Sequence, residues 1–366
     1  MLAIDHSPYQ GVAVPFVGAY DDQVHTYQDY ADSIHLLNAH KEKDVWPWIF
    51  WNRVVGTDLE TLASHPDSPA NKAYFNQIQG MDIYDQHGAL SDFYAIYRNA
   101  LKSAKSLHSP GIVIDMEVYN NYYLYNTETL ARQLNKNKAE VEQRLQEIGK
   151  KLTDIANEEY PEAVLWFLFT GLGESGPDRV INPESRTITQ VVLGMLEEAK
   201  SSNAKLQFVA GGEVGAGYCY LSYDHLKDRL SDRNRNFKSV LKEFPNLVMG
   251  ATLAPWDGSS PRSGWMTEEK CGASQFSGVN DFKPVFKHLF SQYRYVWIYA
   301  AEEAPYNPYN PQEASSYNQA ISETQEALYA EAFPTTGVVS GDALIVPPSS
   351  FLPTQDTFFS ALNNLH

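Results

Sequence analysis

Apolar runs of strand length alternate along this chain with amphipathic stretches of helical period. The runs are rich in β-branched and aromatic residues, which is typical of strands covered on both faces. In the stretches between them, apolar residues recur every three or four positions, as at Leu90, Phe93, Tyr97 and Leu101. Strands joined through helices run parallel, because each helix returns the chain to the edge where the previous strand began. The alternation therefore predicts an α/β fold with a parallel sheet.

The predicted strands span 11–20, 44–51, 111–119, 163–171, 205–213, 246–254, 294–302 and 342–347. A second helix follows the apolar residues from Leu130 to Ile155, and further helices fit 186–200, 223–242, 281–291, 313–332 and 355–364. Eight strands with following helices close a (β/α)8, or TIM, barrel. The alternative, an open doubly wound sheet, needs a glycine-rich phosphate turn after its first strand, and residues 17–22 hold one glycine.

We therefore predict a single catalytic barrel domain over residues 1–366. Barrel enzymes build their sites from the loops at the carboxyl ends of the strands. The long loops of this chain all follow predicted strands, so we expect them on that face: 52–80, 172–186, 213–222, 255–280 and 302–312.

The charge balance restricts the partners of the chain. It has 28 Lys and Arg against 45 Asp and Glu, a net charge of -17, and such a field repels nucleic acid. No apolar run approaches the roughly 20 residues of a membrane span, so we expect no membrane partner. The segment MLAIDHSPYQG resembles no signal peptide. We expect a secreted or periplasmic protein with its signal removed, with a cytoplasmic location as the alternative.

The sharpest chemical pattern is the run GIVIDMEVY at 111–119. Its period of two places Asp115 and Glu117 on one face of the strand and an aliphatic row on the other. The aliphatic row must meet helices, so the carboxylates point into the barrel mouth. Burying two carboxylates there is costly without a role. A hydrogen-bonded or ion-paired scaffold is the structural alternative.

Two further carboxylates follow strand ends. Glu213 shares the parity of Gln207 and Val209 and comes after a Gly-Gly pair. Glu174 shares the parity of Thr170 if the strand stays extended. Glycosidic cleavage needs one carboxylic acid to protonate the leaving oxygen and a second carboxylate as nucleophile or base. Strands three to five could bring such a pair together, and the candidate catalytic residues are Asp115, Glu117, Glu174 and Glu213. Which of them is the acid stays open.

Aromatic and polar residues cluster at the same strand ends. Flat rings in a cleft are suited to stacking on sugars, although each ring could equally be packed in the core. The candidate substrate-binding residues are His25, Trp48, Asn52, Arg53, Tyr119, Tyr122, Tyr218, Trp256, Trp265, Trp297, Tyr299 and Glu302.

Two smaller patterns involve His25 and the two cysteines. His25 follows Asp21 and Asp22, which could form a metal site, a substrate clamp or a helix cap; we predict a substrate contact and no metal. Cys219 and Cys271 lie in neighbouring barrel loops, so a disulfide at the rim of the cleft is a hypothesis.

Strands ending in I-D-M-E at 114–117 and G-G-E at 211–213, within eight βα units, resemble barrel glycoside hydrolases. The resemblance implies an endo-acting glycosidase that needs no cofactor and cuts a polysaccharide or oligosaccharide, such as an algal or fucan-like polymer. The D-x-E at 115–117 is similar to chitinase-type barrels, although Val113 takes the preceding inward position of their aspartate run.

Two other functions fit the pattern. A metal-dependent sugar isomerase or epimerase barrel would use Glu117 and Glu213 as ligands, but it usually wants histidines beside them, and among the ten His only His25 lies near a strand end. A barrel without catalytic activity that binds carbohydrate would also explain the aromatic residues.

Overall fold

The computed structural model describes residues 8–15, 43–50, 83–84, 87, 89–116, 126–172, 186–212, 222–253, 279–298 and 311–332. The chain divides into two compact units. The larger unit comprises Tyr9–Gly217 and Arg229–Thr252, and the smaller unit comprises Met1–Pro8, Tyr218–Asp228 and Leu253–His366.

A six-stranded parallel sheet forms the centre of the larger unit. Its strands lie side by side in chain order, β1 to β6, and every neighbouring pair is parallel. The strands are β1 Gly11–Pro15, β2 Asp44–Phe50, β3 Gly111–Asp115, β4 Val164–Phe167, β5 Gln207–Ala210 and β6 Leu247–Met249. The predicted α/β class with parallel strands is confirmed, whereas closure into a barrel stays a prediction.

Helices connect the strands from β2 to β6. They are α1 Ala89–Leu107, α2 Thr127–Gln133, α3 Lys138–Glu159, α4 Thr187–Ser201 and α5 Tyr223–Glu243, the last belonging to the larger unit from Arg229 onward. After β6 come β7 Ala251–Leu253, α6 Val279–Gln292, β8 Val296–Ile298 and α7 Pro311–Ala332. No helix in the described part of the chain is long and apolar enough to cross a membrane.

Alternate residues of the strands lie on opposite faces of the sheet, as the sequence predicts, and helices cover one of these faces. Ile112 and Ile114 on β3 and Phe167 on β4 belong to the core that the sheet shares with α1, α3 and α4. Val113 and Asp115 alternate with these residues, so their side chains lie on the opposite face. Both are buried, at 1% and 3% exposure. The face turned away from the helices is therefore also covered.

Helices α3 and α4 pack closely through glycine. A Cβ on Gly149 would overlap the carbonyl oxygen of Val191, and a Cβ on Gly194 would overlap that of Gln146. The hydroxyl of Thr153 donates to the carbonyl oxygen of Met195 at 3.0 Å across the same contact. Because these positions have no side chain, the backbones of α3 and α4 come into direct contact.

In the smaller unit, α6 and α7 pack on one another. Phe282 on α6 lies 5.8 Å from Tyr317 on α7 between ring centroids, and both rings are buried. Two ion pairs flank this contact, Lys283 to Glu323 at 2.7 Å and Lys287 to Glu331 at 2.5 Å.

Two predicted elements are divided. The helix expected through 130–155 is two helices, because Asn135 adopts a positive φ of 52° and the side chain of Asn137 caps α3 by accepting from the N–H of Glu140 at 2.8 Å. The sixth strand is interrupted at Gly250, between β6 and β7. The strand predicted at 342–347 and the helix predicted at 355–364 lie outside the described residues. The single-domain prediction stays a prediction.

Candidate functional site

The buried charges mark one end of the sheet. Among the described residues, three charged side chains are buried, Asp115, Arg186 and Arg233. Asp115 ends β3, Arg186 immediately precedes α4 in the connection from β4, and Arg233 binds backbone at the ends of β5 and β6. Because the six strands are parallel, these ends lie along one edge of the sheet, the carboxyl edge. Charge is buried only where partners or function offset its cost.

Asp115 lies in the middle of this edge. It is 3% exposed and pairs in register with Phe50 on β2. On its other side the ladder continues past β4, with the N–H of Leu168 donating to the carbonyl oxygen of Ile114 at 3.1 Å. A carboxylate at this point is held on a rigid strand and turned away from the helices, as the sequence predicted.

The end of β4 continues into a tight turn. Thr170 is fully buried, its hydroxyl oxygen accepts from the N–H of Leu172 at 3.3 Å, and Gly171 has a φ of 70° that favours glycine. The guanidinium of Arg186 lies 5.2 Å from the centroid of the Phe169 ring. This cation–π contact fixes the arginine beside the turn.

The ends of β5 and β6 are tied together through Arg233. Its two terminal nitrogens donate to the carbonyl oxygens of Ala210 and Gly250, each at 2.6 Å. The hydroxyl of Thr252 donates to the carbonyl oxygen of Gly211 at 3.1 Å. Gly212 follows with a positive φ of 79°. The next residue in the chain is the candidate Glu213.

Tryptophans cover the face on which Asp115 lies. Trp48 pairs in register with Val113 on β3, and Val113 pairs with Trp166 on β4, so these side chains form one row across the sheet. Trp46, two residues before Trp48, contacts Trp166 edge to face at 5.5 Å between ring centroids. Trp48 and Trp166 lie level with Val113, two residues before Asp115, and Trp46 lies two residues before Trp48.

Three of the candidate residues lie within the described part of the chain. Asp115 and Trp48 are on the same face of the sheet, and Trp297 is half-buried on β8 in the smaller unit. The candidates outside the described residues are Glu117, Glu174, Glu213, His25, Asn52, Arg53, Tyr119, Tyr122, Tyr218, Trp256, Trp265, Tyr299 and Glu302. Cys219 and Cys271 also lie outside them.

Sequence reasoning missed Trp166 and Arg233, although both left a signal. Trp166 has the parity of Thr170, which the alternation had already assigned to the inward face. Arg233 falls at an apolar position of α5, between Leu230 and Phe237 at helical spacing. A charged residue within an apolar stripe indicates a buried partner.

The described residues contain no group of three or more His, Cys, Asp or Glu side chains arranged to hold a metal ion. Comparisons of the chain with protein-family models, with curated proteins and with solved structures found no match. The chemistry of the site is therefore inferred from its own residues.

Proposed function

We propose that this chain is a glycoside hydrolase that cuts a polysaccharide or oligosaccharide with a pair of carboxylates. The observation that carries the proposal is the burial of Asp115 at the carboxyl end of β3, on the face turned away from the helices. Open parallel sheets and closed barrels alike bind their ligands at this edge. Buried titratable groups cluster at catalytic sites, which supports a catalytic role for this carboxylate.

We also propose that the sheet is the greater part of a (β/α)8 barrel. Its six strands follow chain order without a reversal, as a barrel requires. A doubly wound sheet reverses its strand order at a switch point, and the described sheet contains none. The strands predicted at 294–302 and 342–347 would complete the ring.

Three carboxylates follow the strands β3, β4 and β5 in the sequence. Glu117 comes two residues after Asp115, Glu174 two after Leu172, and Glu213 directly after Gly212. Neighbouring strands are about 4.8 Å apart, so carboxylates on adjacent or next-but-one strands span the separations of about 5 Å for retention and roughly 6.5–9.5 Å for inversion. We propose that Asp115 or Glu117 is one partner and Glu174 or Glu213 the other.

The aromatic face supports a sugar as the ligand. Trp48 is half-buried on the same face as Asp115. It pairs with Val113, two residues before Asp115 on β3. Indole faces stack on the apolar faces of pyranose rings. We propose that the enzyme is endo-acting and that its substrate is an algal or fucan-like polymer. Such a polymer is too large to enter a cell, which would match a secreted or periplasmic location of the enzyme.

A reducing-end assay on a panel of neutral and sulfated polysaccharides tests the proposal. Wild type is compared with Asp115→Asn, Glu117→Gln, Glu174→Gln and Glu213→Gln, and thermal melts check that each variant is folded. The matched control is Asp154→Asn, an exposed position on α3. We expect wild type and control to release reducing ends, and two folded variants to lose at least about a thousandfold in rate, the scale of a lost acid or nucleophile.

Three other outcomes would reject the hydrolase. Binding of a polymer with no reducing ends released would favour a carbohydrate-binding protein. Activity that a chelator abolishes would favour a metal-dependent isomerase or epimerase. Full activity in all four carboxylate variants would make these residues a scaffold.

A further inference from the structure

His288 on α6 contacts the beginning of α5 within the smaller unit. Its imidazole meets the ring of Tyr223 edge to face, at 6.0 Å between centroids and with an interplanar angle of 79°. Tyr223 is the first residue of α5, and both side chains are half-buried. The contact therefore joins two helices that are distant in the sequence, at the point where one of them begins.

The same tyrosine ring also holds a cation. The ammonium group of Lys227, one turn further along α5, lies 4.7 Å from the centroid of the Tyr223 ring. Lys227 also pairs with Asp224 at 2.8 Å. The hydrogen bond with Asp224 raises the pKa of Lys227, so this lysine stays charged in neutral and in acidic solution. His288 thus shares one aromatic ring with a permanent positive charge.

Opposite charges elsewhere on α6 and α7 form their own pairs. These are Lys283 with Glu323 at 2.7 Å and Lys287 with Glu331 at 2.5 Å. On α5, Asp228 acts together with Asp224 on Lys227. In the part of the chain that the structure describes, Lys227 is the charged group that acts on the imidazole of His288. A proton on His288 therefore adds a second positive charge beside the first.

Burial of the imidazole and the charge of Lys227 both lower the pKa of His288 from its usual value of 6.5. A lowered pKa means that the packed helices bind this proton less tightly than helices that have separated. The contact is therefore at full strength above about pH 6.5, the usual histidine pKa, and weakens as the pH falls through that value.

We propose that His288 makes the packing of α5 on α6 sensitive to pH, because a proton on its imidazole is repelled by Lys227 and releases residues 223–228 of α5 in acidic solution. The start of this helix is held locally by Ser222, whose hydroxyl oxygen accepts from the N–H of His225 at 3.1 Å. A helix start that loses its tertiary contact opens locally while the rest of the fold stays intact. This property does not depend on the proposed hydrolase function, so its test needs no substrate.

Hydrogen–deuterium exchange of the full chain, read out on peptic fragments, measures the opening. The fragment over 222–230 is compared with one over 315–330 on α7, at about pH 7.5 and about pH 5, on either side of the usual histidine pKa. The rates are corrected for the intrinsic dependence of exchange on pH. We expect the opening of 222–230 in wild type to increase several-fold at the lower pH, and the opening of 315–330 to stay the same.

Three variants separate the causes. His288→Phe keeps an aromatic ring and takes up no proton, so the opening of 222–230 should not depend on pH. Lys227→Met keeps the length of the side chain without its charge, so the dependence on pH should become smaller. His108→Asn is the matched control, since His108 is exposed after the end of α1 and its φ of 52° suits asparagine. It should behave as wild type.

Several results would overturn the proposal. Equal opening of 222–230 at both pH values in wild type would show that nothing is released. A dependence on pH that persists in His288→Phe would assign the effect to another group. An equal increase in both fragments would mean that the whole unit unfolds in acid. If His288→Phe does not fold, Lys227→Met decides, because an unchanged dependence on pH in that variant rejects the repulsion between the two cations.

Discussion

The indole rings of Trp46 and Trp166 meet edge to face at 5.5 Å between centroids, with an interplanar angle of 83°. Trp46 is on β2 and Trp166 on β4, so β3 lies between them. The register puts Trp48 and Trp166 in one row with Val113, and Trp46 lies two residues before Trp48 on β2. The two rings therefore pack together on the face of the sheet that also carries Asp115.

Trp166→Ala should therefore lower the free energy of unfolding by about 3–5 kcal/mol, the usual cost of deleting a large buried aromatic. Trp166 is 8% exposed, whereas Tyr329 on α7 is 37% exposed. Tyr329→Ala is the control and should cost less than about 1 kcal/mol. Urea unfolding followed by far-UV circular dichroism measures both. Equal losses in the two variants would show that the paired rings do not support the sheet.

The contact between α3 and α4 makes an unusual prediction for glycine. Replacing a helical glycine by alanine normally stabilises by roughly 1 kcal/mol through helix propensity. Gly194→Ala should instead destabilise by about 1–3 kcal/mol, because the new Cβ overlaps the carbonyl oxygen of Gln146. Ser231→Ala, at an exposed position of α5, is the control and should stabilise by about 0.5 kcal/mol through helix propensity. A stabilised Gly194→Ala variant, measured by chemical denaturation, would contradict the close approach of the helices.

Two tyrosines allow a comparison of how much a hydroxyl group contributes to the free energy of unfolding with and without a hydrogen bond. The hydroxyl of Tyr97 is buried and has no hydrogen-bond partner in the part of the chain that the structure describes, and burial raises its pKa. The hydroxyl of Tyr160 donates to the carbonyl oxygen of Ser109 at 2.9 Å. Tyr97→Phe should be neutral or stabilising by up to about 1 kcal/mol, while Tyr160→Phe should cost about 1 kcal/mol. Thermal melts of the two single variants decide, and the reverse ranking would refute this assignment.

Asp44, at the start of β2, predicts a dependence of stability on pH. Burial raises the pKa of its carboxyl group above the usual value. The folded chain therefore holds this proton more tightly than the unfolded chain, so the free energy of unfolding falls as the pH rises through the raised pKa. Asp44→Asn removes this loss. The variant should be more stable than wild type at neutral pH and equal to it near about pH 3, below the usual carboxyl pKa.

Melting temperatures of wild type and Asp44→Asn across this pH range give the measurement. Asp154→Asn on α3 is the exposed control. A stability difference between wild type and Asp44→Asn that stayed constant across the range would mean that the effect comes from a lost contact and not from titration of Asp44.

Local periodicity was enough to find most elements in the described residues. Alternation in GIVID located β3 and the face of the sheet on which Asp115 lies, because a strand covered on one side by helices must sort its residues by parity. The residues at which helices and strands begin and end were harder to predict from the sequence. The break between α2 and α3 depends on the positive φ of Asn135, which the apolar spacing across Leu134 and Val141 conceals. The division of the sixth strand falls at Gly250, whose carbonyl oxygen accepts from Arg233, a residue of a separate segment.

The sequence by itself determined the order and type of the elements, the parallel sheet and the face on which Asp115 lies, since these follow from spacing within one segment. Only the tertiary structure decided that Arg233 spans the ends of β5 and β6, that Trp46 on β2 meets Trp166 on β4, and that α3 meets α4 backbone to backbone. These relationships join residues from separate segments. They depend on register, on the twist of the sheet and on the space left by a missing side chain, quantities that exist only after the segments have packed together.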